Sequence, residues 1–410
     1  MNKPMRLFFD IVQRETLYED EIIIIIKNST HYYPVYRYKS VKDYCINLLL
    51  ALCHDMPITL VDADFSDPEI KDMGLEEHLN VPHPLNKNVN GEEADWMNQL
   101  KKSGSKITLF TSGTTGLPKQ VCHTIHSLTR MVRTEHRYVS NRWALAYNPT
   151  HMAGLQVLFQ ALFNKNFIVN VFGAPIKEAA EAIDKEQITN ISATPTFFRM
   201  LLGTGSVLNK VKRATLGGES SNNDLHSKMK AMFPNAKLNN IYASTELGSL
   251  FVSHGEAFRI SSHLEGKIKI GDDGELLVHT SLLPEKTRIS DWYATGDLVK
   301  IISTEPLEFI IQSRKTEMIN TGGYKVNPNE VESVLRQYDI VIDCRVYGKP
   351  NSVLGHMLYA EVQIEKGKKL DKRSLQNYLK SHLQEYKVPR MLKVVDAIEI
   401  TRTGKIIRKP

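Results

Sequence analysis

The stretch LFTSGTTGLPKQV at Leu109–Val121 gathers small polar residues that could bind an anion. It follows a short apolar run and contains two glycines, four hydroxyl residues, one proline and one lysine. Backbone N–H groups and hydroxyls donate hydrogen bonds to phosphate oxygens, and a lysine adds positive charge. The stretch therefore favours phosphate chemistry. A surface loop rich in glycine and threonine is the plainer alternative, because such loops are common between strands and helices.

The spacing excludes the Walker P-loop, whose pattern is G-x-x-x-x-G-K-[ST]. Counted from Gly113, Pro118 stands where the second glycine should precede the lysine, and Gln120 replaces the residue that binds Mg²⁺. Proline also has no N–H to donate to a phosphate. Any phosphate chemistry at this stretch must therefore be of another kind.

Two more polar stretches follow predicted strands: GGES at Gly217–Ser220 and YASTE at Tyr242–Glu246. Between about Lys106 and Ser244, short β-rich runs alternate with helical stretches, which predicts a parallel sheet covered by helices. Ligand-binding loops of such sheets lie at the carboxyl ends of the strands. We therefore expect the Thr111–Lys119 loop and the two stretches to converge on one sheet edge.

The individual elements of this region can be assigned from residue type and periodicity. The predicted strands are KITLF, WALAYN, FIVNVF, ITNISAT, RATLGG and LNNIYA. The predicted helices are His126–Tyr138, Leu155–Phe163, Ile176–Lys185 and Asn223–Phe233. An apolar run outside the region, Ile22–Ile26, is interpreted as a buried strand.

The pattern changes after Lys267. Up to Gln312, the runs KIKI, ELLVHT, LVKIIS and LEFIIQ are broken by Gly-Asp, Asp-Gly and Pro, which predicts hairpins of a small antiparallel barrel. Helices beginning near Asn327 and Asp371, with the strand HMLYAEVQIE between them, predict a small α+β domain. The predicted domains are residues 1–313 and 314–410.

Composition limits the class of protein. The chain has 410 residues, 42% hydrophobic residues and a net charge of +6 that is spread along the sequence, so nucleic acid is not a required partner. No apolar run is long enough to span a membrane. The N-terminus has no signal-peptide core, and the four cysteines have no metal-binding spacing. We expect a cytoplasmic protein.

Five stretches in order resemble motifs of the adenylate-forming superfamily, which includes acyl-CoA synthetases, peptide-synthetase adenylation domains and luciferases. They are similar to its phosphate loop, its Y-G-x-T-E motif, its ribose motif, its G-R-x-x-D hinge segment and its catalytic-lysine segment. In this sequence they read LFTSGTTGLPK, YASTE, YATGD, SRKTEMINTGGYKVNPNEVE and RTGKIIRK. In addition, NPTHMAGL resembles the P-x-x-H-x-x-G segment of the same superfamily.

The resemblance implies a large N-terminal domain of helix-covered, mainly parallel sheets plus the small barrel, followed by a mobile C-terminal domain. It implies two half-reactions. A carboxylate attacks the α-phosphate of ATP to give an acyl-adenylate and pyrophosphate, and a thiol then displaces AMP. The implied cofactors are ATP, Mg²⁺ and CoA, or the phosphopantetheine of an acyl carrier protein as the alternative acceptor. The partner is a small carboxylic acid.

The resemblance also assigns residues to the nucleotide. Glu246 is the implied Mg²⁺ ligand, and Thr245 is the implied donor to the α-phosphate. Lys119 supports the phosphate loop. The implied β/γ-phosphate residues are Thr111, Ser112, Gly113, Thr114, Thr115 and Gly116. The other implied nucleotide residues are Gly218 and Glu219 around the base, Tyr242, Ala243 and Ser244 of the YASTE motif, and Asp297 and Arg314 at the ribose.

Three further assignments concern the reacting groups. Lys405 is the implied catalytic lysine of adenylation, Gly322 and Gly323 leave space for a pantetheine arm, and His151 is expected beside the substrate carboxyl. Plainer interpretations exist for the key side chains. Lys405 could be a solvated lysine, Glu246 a first-turn carboxylate of a following helix, and His151 a packed aromatic plug.

Some positions depart from the superfamily pattern. Gln120, Ala243 and Ser313 replace glycines, and Thr316 replaces the Asp or Lys of the hinge. A hinge at Ser313–Glu317 is expected, but the balance between its two orientations is open. The stretch before Leu109 is short for the superfamily, which leaves a homodimer open.

Three functions compete for these motifs: an acyl- or aryl-CoA ligase, a carrier-protein loading enzyme and an inactive nucleotide-binding relic. The presence of Lys405, Glu246, Asp297 and Arg314 argues against the relic. No aspartate stands where amino-acid adenylation domains pair the amino group, which argues against an amino-acid substrate. The expected walls of the acid pocket are mostly apolar and suit an aromatic or modestly aliphatic acid: Met152, Leu155, Thr194, Phe197 and Phe198.

Overall fold

The computed structural model describes residues 4–86, 95–111, 119–283, 290–351, 354–401 and 404–408. The chain forms two compact units, and each unit draws on separate segments of the sequence. The first unit comprises Met1–Thr194, Thr204–Gly218 and Lys228–Leu250. The second comprises Pro195–Gly203, Glu219–Ser227 and Phe251–Pro410.

The strands are numbered in chain order. They are β1 (Arg6–Asp10), β2 (Glu15–Tyr18), β3 (His31–Tyr32), β4 (Val35–Arg37), β5 (Ile58–Val61), β6 (His83–Pro84), β7 (Lys106–Thr111), β8 (Lys119–Thr124), β9 (Arg142–Leu145), β10 (Phe167–Asn170), β11 (Asn190–Ala193), β12 (Arg213–Gly217), β13 (Lys237–Ser244), β14 (Gly248–Ser253), β15 (Ala257–Arg259), β16 (Ile268–Ile270), β17 (Glu275–His279), β18 (Trp292–Thr304), β19 (Leu307–Arg314), β20 (Ile319–Thr321), β21 (Tyr324–Val326), β22 (Val341–Asn351), β23 (Gly355–Ile364) and β24 (Met391–Val395).

The α-helices are numbered in the same way. They are α1 (Glu19–Asn28), α2 (Val41–Cys53), α3 (Asp67–Asp72), α4 (Trp96–Lys102), α5 (Ile125–Thr129), α6 (Met152–Leu162), α7 (Ile176–Lys185), α8 (Pro195–Leu202), α9 (Asn223–Met232), α10 (Pro328–Leu335) and α11 (Lys372–His382). None of the described helices is long and apolar enough to cross a membrane.

An eight-stranded sheet has the order β14-β13-β12-β11-β9-β10-β1-β2. The pairs from β13 through β12, β11, β9 and β10 to β1 are all parallel, as the alternation of strands and helices predicted. The buried helices α2 and α6 share one hydrophobic core with β1 and β9. Continuous burial along β10 is typical of a parallel strand covered on both faces.

The strand before the anion-binding stretch lies in a different sheet. The order there is β4-β5-β7-β8, with β7 parallel to β5 and antiparallel to β8. The prediction that KITLF joins the same parallel sheet as the later strands was therefore wrong. The stretch joins two antiparallel strands, whereas a Walker loop joins a strand to a helix.

Two local predictions were also wrong. The run Ile22–Ile26 is part of helix α1, because the Glu21 carboxylate accepts a hydrogen bond from the Tyr18 N–H at its start and three acidic residues occupy the first turn. Ile22 and Ile26 are buried one turn apart, while Ile24 is exposed. The predicted helix His126–Tyr138 is broken: α5 ends at Thr129, and only a short 3₁₀ turn follows at His136–Tyr138.

The second unit contains a five-stranded antiparallel sheet, β15-β19-β18-β17-β16, where the sequence predicted antiparallel hairpins. It also contains a sheet of β20 to β24 that packs against α10 and α11. Asn327 caps α10, and Pro328 stands in its first turn. Asp371 caps α11. Two helices on one mixed sheet give this part the predicted α+β character.

Candidate active site

The stem of the anion-binding stretch is a paired hairpin. Thr111 ends β7 and Lys119 begins β8, and the two residues face each other in the ladder. Lys119 is exposed. The intervening residues Ser112, Gly113, Thr114, Thr115 and Gly116 lie outside the described residues, so their phosphate contacts stay predictions.

Thr245 and Glu246 lie in a turn between two strands of the eight-stranded sheet. Tyr242, Ala243 and Ser244 are the last residues of β13, and β14 begins at Gly248. No helix follows Glu246, so the alternative of a first-turn carboxylate is wrong. Arg130, the residue after α5, donates to the Leu247 carbonyl (2.7 Å), and the Leu247 N–H donates to the Ser244 hydroxyl (3.1 Å). These bonds fix the turn.

A buried histidine that sequence reasoning missed lies beside this turn. His123 of β8 is 4% exposed, and its Nδ1 is 3.2 Å from the Ser127 hydroxyl. Burial lowers the pKa of His123, while the Thr245 backbone and the Glu246 carboxylate act in the opposite direction. The only signal for His123 in the sequence is its alternation with exposed neighbours on β8.

Asp297 and Arg314 occupy opposite positions on the neighbouring antiparallel strands β18 and β19. The Arg314 Nε lies 2.9 Å from an Asp297 carboxylate oxygen. Asp297 is 4% exposed, whereas about half of the Arg314 side chain is exposed (51%). Gly296, inside β18, has φ of +76°, a backbone conformation that residues with a side chain rarely adopt, and its N–H donates to the Glu275 carboxylate. The structure thus brings together the two residues that the resemblance assigned to the ribose.

Glu219 accepts hydrogen bonds from two distant parts of the chain. Thr196, at the start of α8, donates its backbone N–H (2.9 Å) and its hydroxyl (2.7 Å). The Ile406 N–H, next to Lys405, donates to the other oxygen (3.2 Å). Glu219 therefore connects α8 with the catalytic-lysine segment. Its neighbour Gly218 has φ of +84°, a conformation that favours glycine.

Lys405 lies at a tight turn of the C-terminal segment. Its backbone N–H donates to the Thr401 hydroxyl (3.1 Å), and the Ile400–Ile406 bridge closes the turn. The side chain remains accessible to water although protein atoms crowd around it. This crowding and the charge of Arg314 lower the pKa of Lys405, and the nearby carboxylates of Glu219, Glu317 and Asp297 oppose the shift. The charges of Asp297 and Arg314, the two residues assigned to the ribose, therefore both act on the ammonium group of Lys405.

Arg408 attaches the same segment to the small α+β part. It pairs with Glu332 of α10 (2.8 Å) and with Glu317 (3.1 Å). Arg199 of α8 lies 3.6 Å from both Glu219 and Asp343 of β22. Removing one partner from a buried pair is costly, because the other charge is left without compensation. These pairs connect the Lys405 segment with α10, and α8 with β22, inside the second unit.

Gly322 and Gly323 form the two-residue turn between β20 and β21. Both have positive φ, +57° and +85°, as a type I′ hairpin requires. The Gly322 N–H donates to the Leu354 carbonyl (2.9 Å). Beyond the turn, Tyr324 stacks on Tyr386 with ring centroids 4.3 Å apart. The assigned role of these glycines in passing a pantetheine arm stays a prediction.

His151 lies in a polar setting that differs from that of a packed plug. It precedes α6, and its Nε2 is 2.8 Å from a carboxylate oxygen of Asp62, a residue that sequence reasoning missed. The five apolar and hydroxyl residues named as candidate walls of the acid pocket are all buried: Met152, Leu155, Thr194, Phe197 and Phe198.

Comparison with known proteins places the chain in a family. Residues 44–276 match the family described as AMP-binding enzyme, and residues 330–405 match its C-terminal domain. The chain belongs to the AMP-binding enzyme family. The resemblance to adenylate-forming enzymes and the expectation that this protein is an enzyme are thereby confirmed.

The relatives of this AMP-binding enzyme include a 2-succinylbenzoate–CoA ligase of Listeria innocua, 25% identical over 361 residues, which cover 77% of this chain and 71% of the relative. The fold is shared with o-succinylbenzoate CoA synthetase of Bacillus subtilis in complex with its acyl-adenylate (TM-score 0.70, 18% identity, 100% of this chain and 95% of that chain). It is also shared with ATP-bound MatB of Rhodopseudomonas palustris (TM-score 0.71, 18% identity, 99% and 95%). The predicted fold class is confirmed.

Proposed function

We propose that this protein is an AMP-forming acid–thiol ligase that activates a carboxylic acid with ATP and transfers the acyl group to CoA. Family membership supports the reaction, and its curated relatives are CoA ligases. The observation that carries the proposal for this chain is Lys405, which lies among Arg314, Asp297 and Glu219 in the family's catalytic-lysine segment. An inactive relic would have no need to keep this cluster.

In the first half-reaction, a carboxylate oxygen of the acid attacks the α-phosphorus of ATP, and the bond to the pyrophosphate leaving group breaks. Both reactants are anions, so the protein must neutralise and align them. Lys405 lies between the two anions, Thr245 donates to the α-phosphate, and the 111–119 loop donates to the β/γ-phosphates. Asp297 accepts hydrogen bonds from the ribose hydroxyls, and Arg314 donates to the same sugar.

The Mg²⁺ that the family requires fits the donor set of this chain. Mg²⁺ keeps several waters and uses few protein carboxylates together with phosphate oxygens. Glu246, held on a hydrogen-bonded turn, would supply that carboxylate, and no cluster of three or more candidate ligands occurs among the described residues. When bound, the ion would neutralise phosphate charge.

In the second half-reaction, the thiol sulfur attacks the carbonyl carbon of the acyl-adenylate, the thiol loses its proton, and AMP leaves. We assign residues 1–313 and 314–410 to two domains that rotate about Ser313–Glu317 between the steps. Lys315 pairs with Asp273 and Glu275 of the five-stranded sheet, whereas Glu317 pairs with Arg408 of the C-terminal segment. The residue before Thr316 is therefore attached to the five-stranded sheet, and the residue after it is attached to the C-terminal segment. This supports a hinge at Thr316.

The acid is proposed to be aromatic or modestly aliphatic, because the candidate wall residues are mostly apolar. The four cysteines are free thiols, which supports the cytoplasmic location predicted from composition. A homodimer stays a prediction.

A panel of carboxylic acids in ATP–pyrophosphate exchange tests the proposed activity. We expect exchange that depends on the acid, with aryl acids, including 2-succinylbenzoate, and medium aliphatic acids tested first. Each active acid is then assayed for thioester formation with CoA. Exchange that is absent with every acid, or that proceeds equally without acid, would contradict the proposal.

The acceptor is a separate prediction. Eight basic residues of the C-terminal part could contact the phosphates of CoA or steer an acidic carrier protein. All except Lys387, which pairs with Glu330, are exposed. They are Lys366, Lys368, Lys369, Lys372, Arg373, Lys387, Arg390 and Lys393.

Supplying acyl-adenylate with CoA, pantetheine or a holo-carrier protein separates the two acceptors. We expect kcat/KM for CoA to exceed that for pantetheine by about tenfold or more, because charge-assisted phosphate contacts contribute to binding. A carrier preferred by orders of magnitude, with no benefit from the nucleotide part of CoA, would make the protein a carrier-loading enzyme.

A further inference from the structure

Asp62 and His151 form a mostly buried pair between the end of one strand and the start of one helix. Asp62 directly follows β5 and is 3% exposed, and His151 is the residue before α6. The Nε2 of His151 lies 2.8 Å from Oδ2 of Asp62. The His151 side chain is 23% exposed, so the ring is covered on the Asp62 side and still reached by water elsewhere.

The Asp62 carboxylate accepts hydrogen bonds at both oxygens. Oδ1 accepts from the Asn148 amide and from the Thr150 hydroxyl (3.1 Å), and Oδ2 accepts from His151. Burial alone would raise the pKa of Asp62, but these hydrogen bonds and the charge of His151 together lower it. An ionised carboxylate can only accept, so the His151 Nε2 must carry the proton of this bond.

Because Nε2 carries the proton of this bond, Nδ1 is the ring nitrogen of His151 that is left for another contact. No residue in the part of the chain that the structure describes hydrogen-bonds Nδ1. A histidine whose Nε2–H is committed to a carboxylate has a fixed tautomer and a restricted ring orientation, as in other carboxylate–histidine pairs. Nδ1 is therefore the atom that His151 can offer to a bound molecule.

The surrounding loop is built to hold this geometry. Asn148 Oδ1 accepts from the Thr150 N–H (3.0 Å), and the Tyr44 hydroxyl donates to the Pro149 carbonyl (2.7 Å). A Cβ at Gly154 would lie 2.1 Å from the Asn148 carbonyl oxygen, so only glycine lets the first turn of α6 pack on this loop. The glycine of NPTHMAGL is thus required because a side chain at this position would clash with the backbone of the loop that carries His151.

We propose that Asp62 is a positioning residue for the acid substrate: it holds His151 by Nε2 so that Nδ1 meets the carboxylate of the acid. In the complex, Nε2–H donates to Asp62 and Nδ1–H donates to the acid, with the imidazolium between two carboxylates. What Nδ1 contacts rests on the proposed function, whereas the tautomer rests on the structure alone. The competing account is that Asp62 only attaches the 148–151 loop to β5.

Asp62→Asn is the informative substitution. Two donors already point at Oδ1, so the asparagine oxygen is held there and its NH₂ group faces the His151 ring. The His151 Nε2 must then accept a hydrogen bond from this NH₂ group, so the ring proton moves to Nδ1. We expect KM for the acid to rise about tenfold or more and KM for ATP to stay within about twofold, because a charge-assisted bond contributes more than a neutral one.

Two controls separate positioning from structure. Asp10→Asn changes a carboxylate that is equally buried at the end of a strand and, within the part of the chain that the structure describes, accepts only from backbone N–H groups. KM for the acid should not change. In a His151→Gln background, Asp62→Asn should add little, because the two residues act as one unit. If Asp62→Asn does not fold, Asp62→Ser removes the same acceptor with a smaller side chain.

Nitrogen NMR of ¹⁵N-histidine-labelled protein gives a readout that does not need activity. The His151 signals are assigned by their loss in His151→Gln. Wild-type protein should show a protonated Nε2, and Asp62→Asn should show a protonated Nδ1 with an unprotonated Nε2. An unchanged tautomer, an unchanged KM for the acid, or a full Asp62→Asn effect without His151 would overturn the inference. Absence of acid-dependent exchange in the wild type would instead overturn the proposed function.

Discussion

Lys405→Ala is expected to slow adenylation by about two to four orders of magnitude, the scale of losing a positioned charge where phosphate charge develops. The charges of Asp297 and Arg314 both act on the pKa of Lys405, and Glu219 and Arg408 hold its segment in place. Thioester formation from a supplied acyl-adenylate should stay within about threefold of wild type, because no phosphate bond is made in that step.

The two rates are measured separately, by pyrophosphate exchange and by CoA consumption with added acyl-adenylate. Lys380→Ala is the matched control, since Lys380 is an exposed lysine of the same C-terminal part. It should change neither rate. Equal losses in both half-reactions of Lys405→Ala would mean that the lysine supports the fold or the site as a whole, and the single-step role would be wrong.

Thr316→Pro is expected to separate the half-reactions in the opposite sense. Residues Lys315–Glu317 form a single 3₁₀ turn between β19 and β20. Proline fixes φ near the value of a 3₁₀ turn and removes the backbone N–H of residue 316. It therefore opposes the rotation of residues 314–410 that we propose for the second half-reaction. We expect thioester formation to fall by more than about tenfold and adenylation to fall much less.

Thr316→Ala is the control, because it removes the hydroxyl and leaves the backbone free to rotate. It should leave both steps within about threefold of wild type. A Thr316→Pro enzyme in which both steps are intact would place the hinge elsewhere. The pairs of Arg199 with Asp343 and of Arg408 with Glu332 do not involve Thr316 and would still connect α8 with β22 and the Lys405 segment with α10.

Periodicity and motif order predicted much of this architecture. The parallel pairs from β9 to β13 and the hairpin of β18 and β19 follow from local patterns, because strand alternation and hairpins are short-range properties. Asp297 and Arg314 were assigned to the ribose by motif resemblance, and their pairing across that hairpin was not predicted. Helix α1 was missed because a run of isoleucines is also typical of a buried strand. The acidic residues Glu19, Asp20 and Glu21, which favour a helix N-terminus, were the signal that distinguished the two.

Asp62 could not be predicted from local pattern. It lies 89 residues before His151, directly after a strand of the four-stranded sheet, and only the folded chain brings the two together. The same holds for Arg199, which meets Asp343 across a separation that no motif spans. Long-range pairs of buried charged groups depend on how the elements pack, and packing is not encoded in the periodicity of one segment.

The most direct test of the proposed chemistry is the fate of the carboxylate oxygen. An active acid labelled with ¹⁸O in both carboxyl oxygens is incubated with ATP, Mg²⁺ and CoA, and the products are analysed by mass spectrometry. If the carboxylate attacks the α-phosphorus, AMP carries one heavy oxygen and the pyrophosphate carries none. Label in inorganic phosphate, with ADP as the nucleotide product, would contradict an acyl-adenylate and with it the AMP-forming ligase activity proposed for this chain.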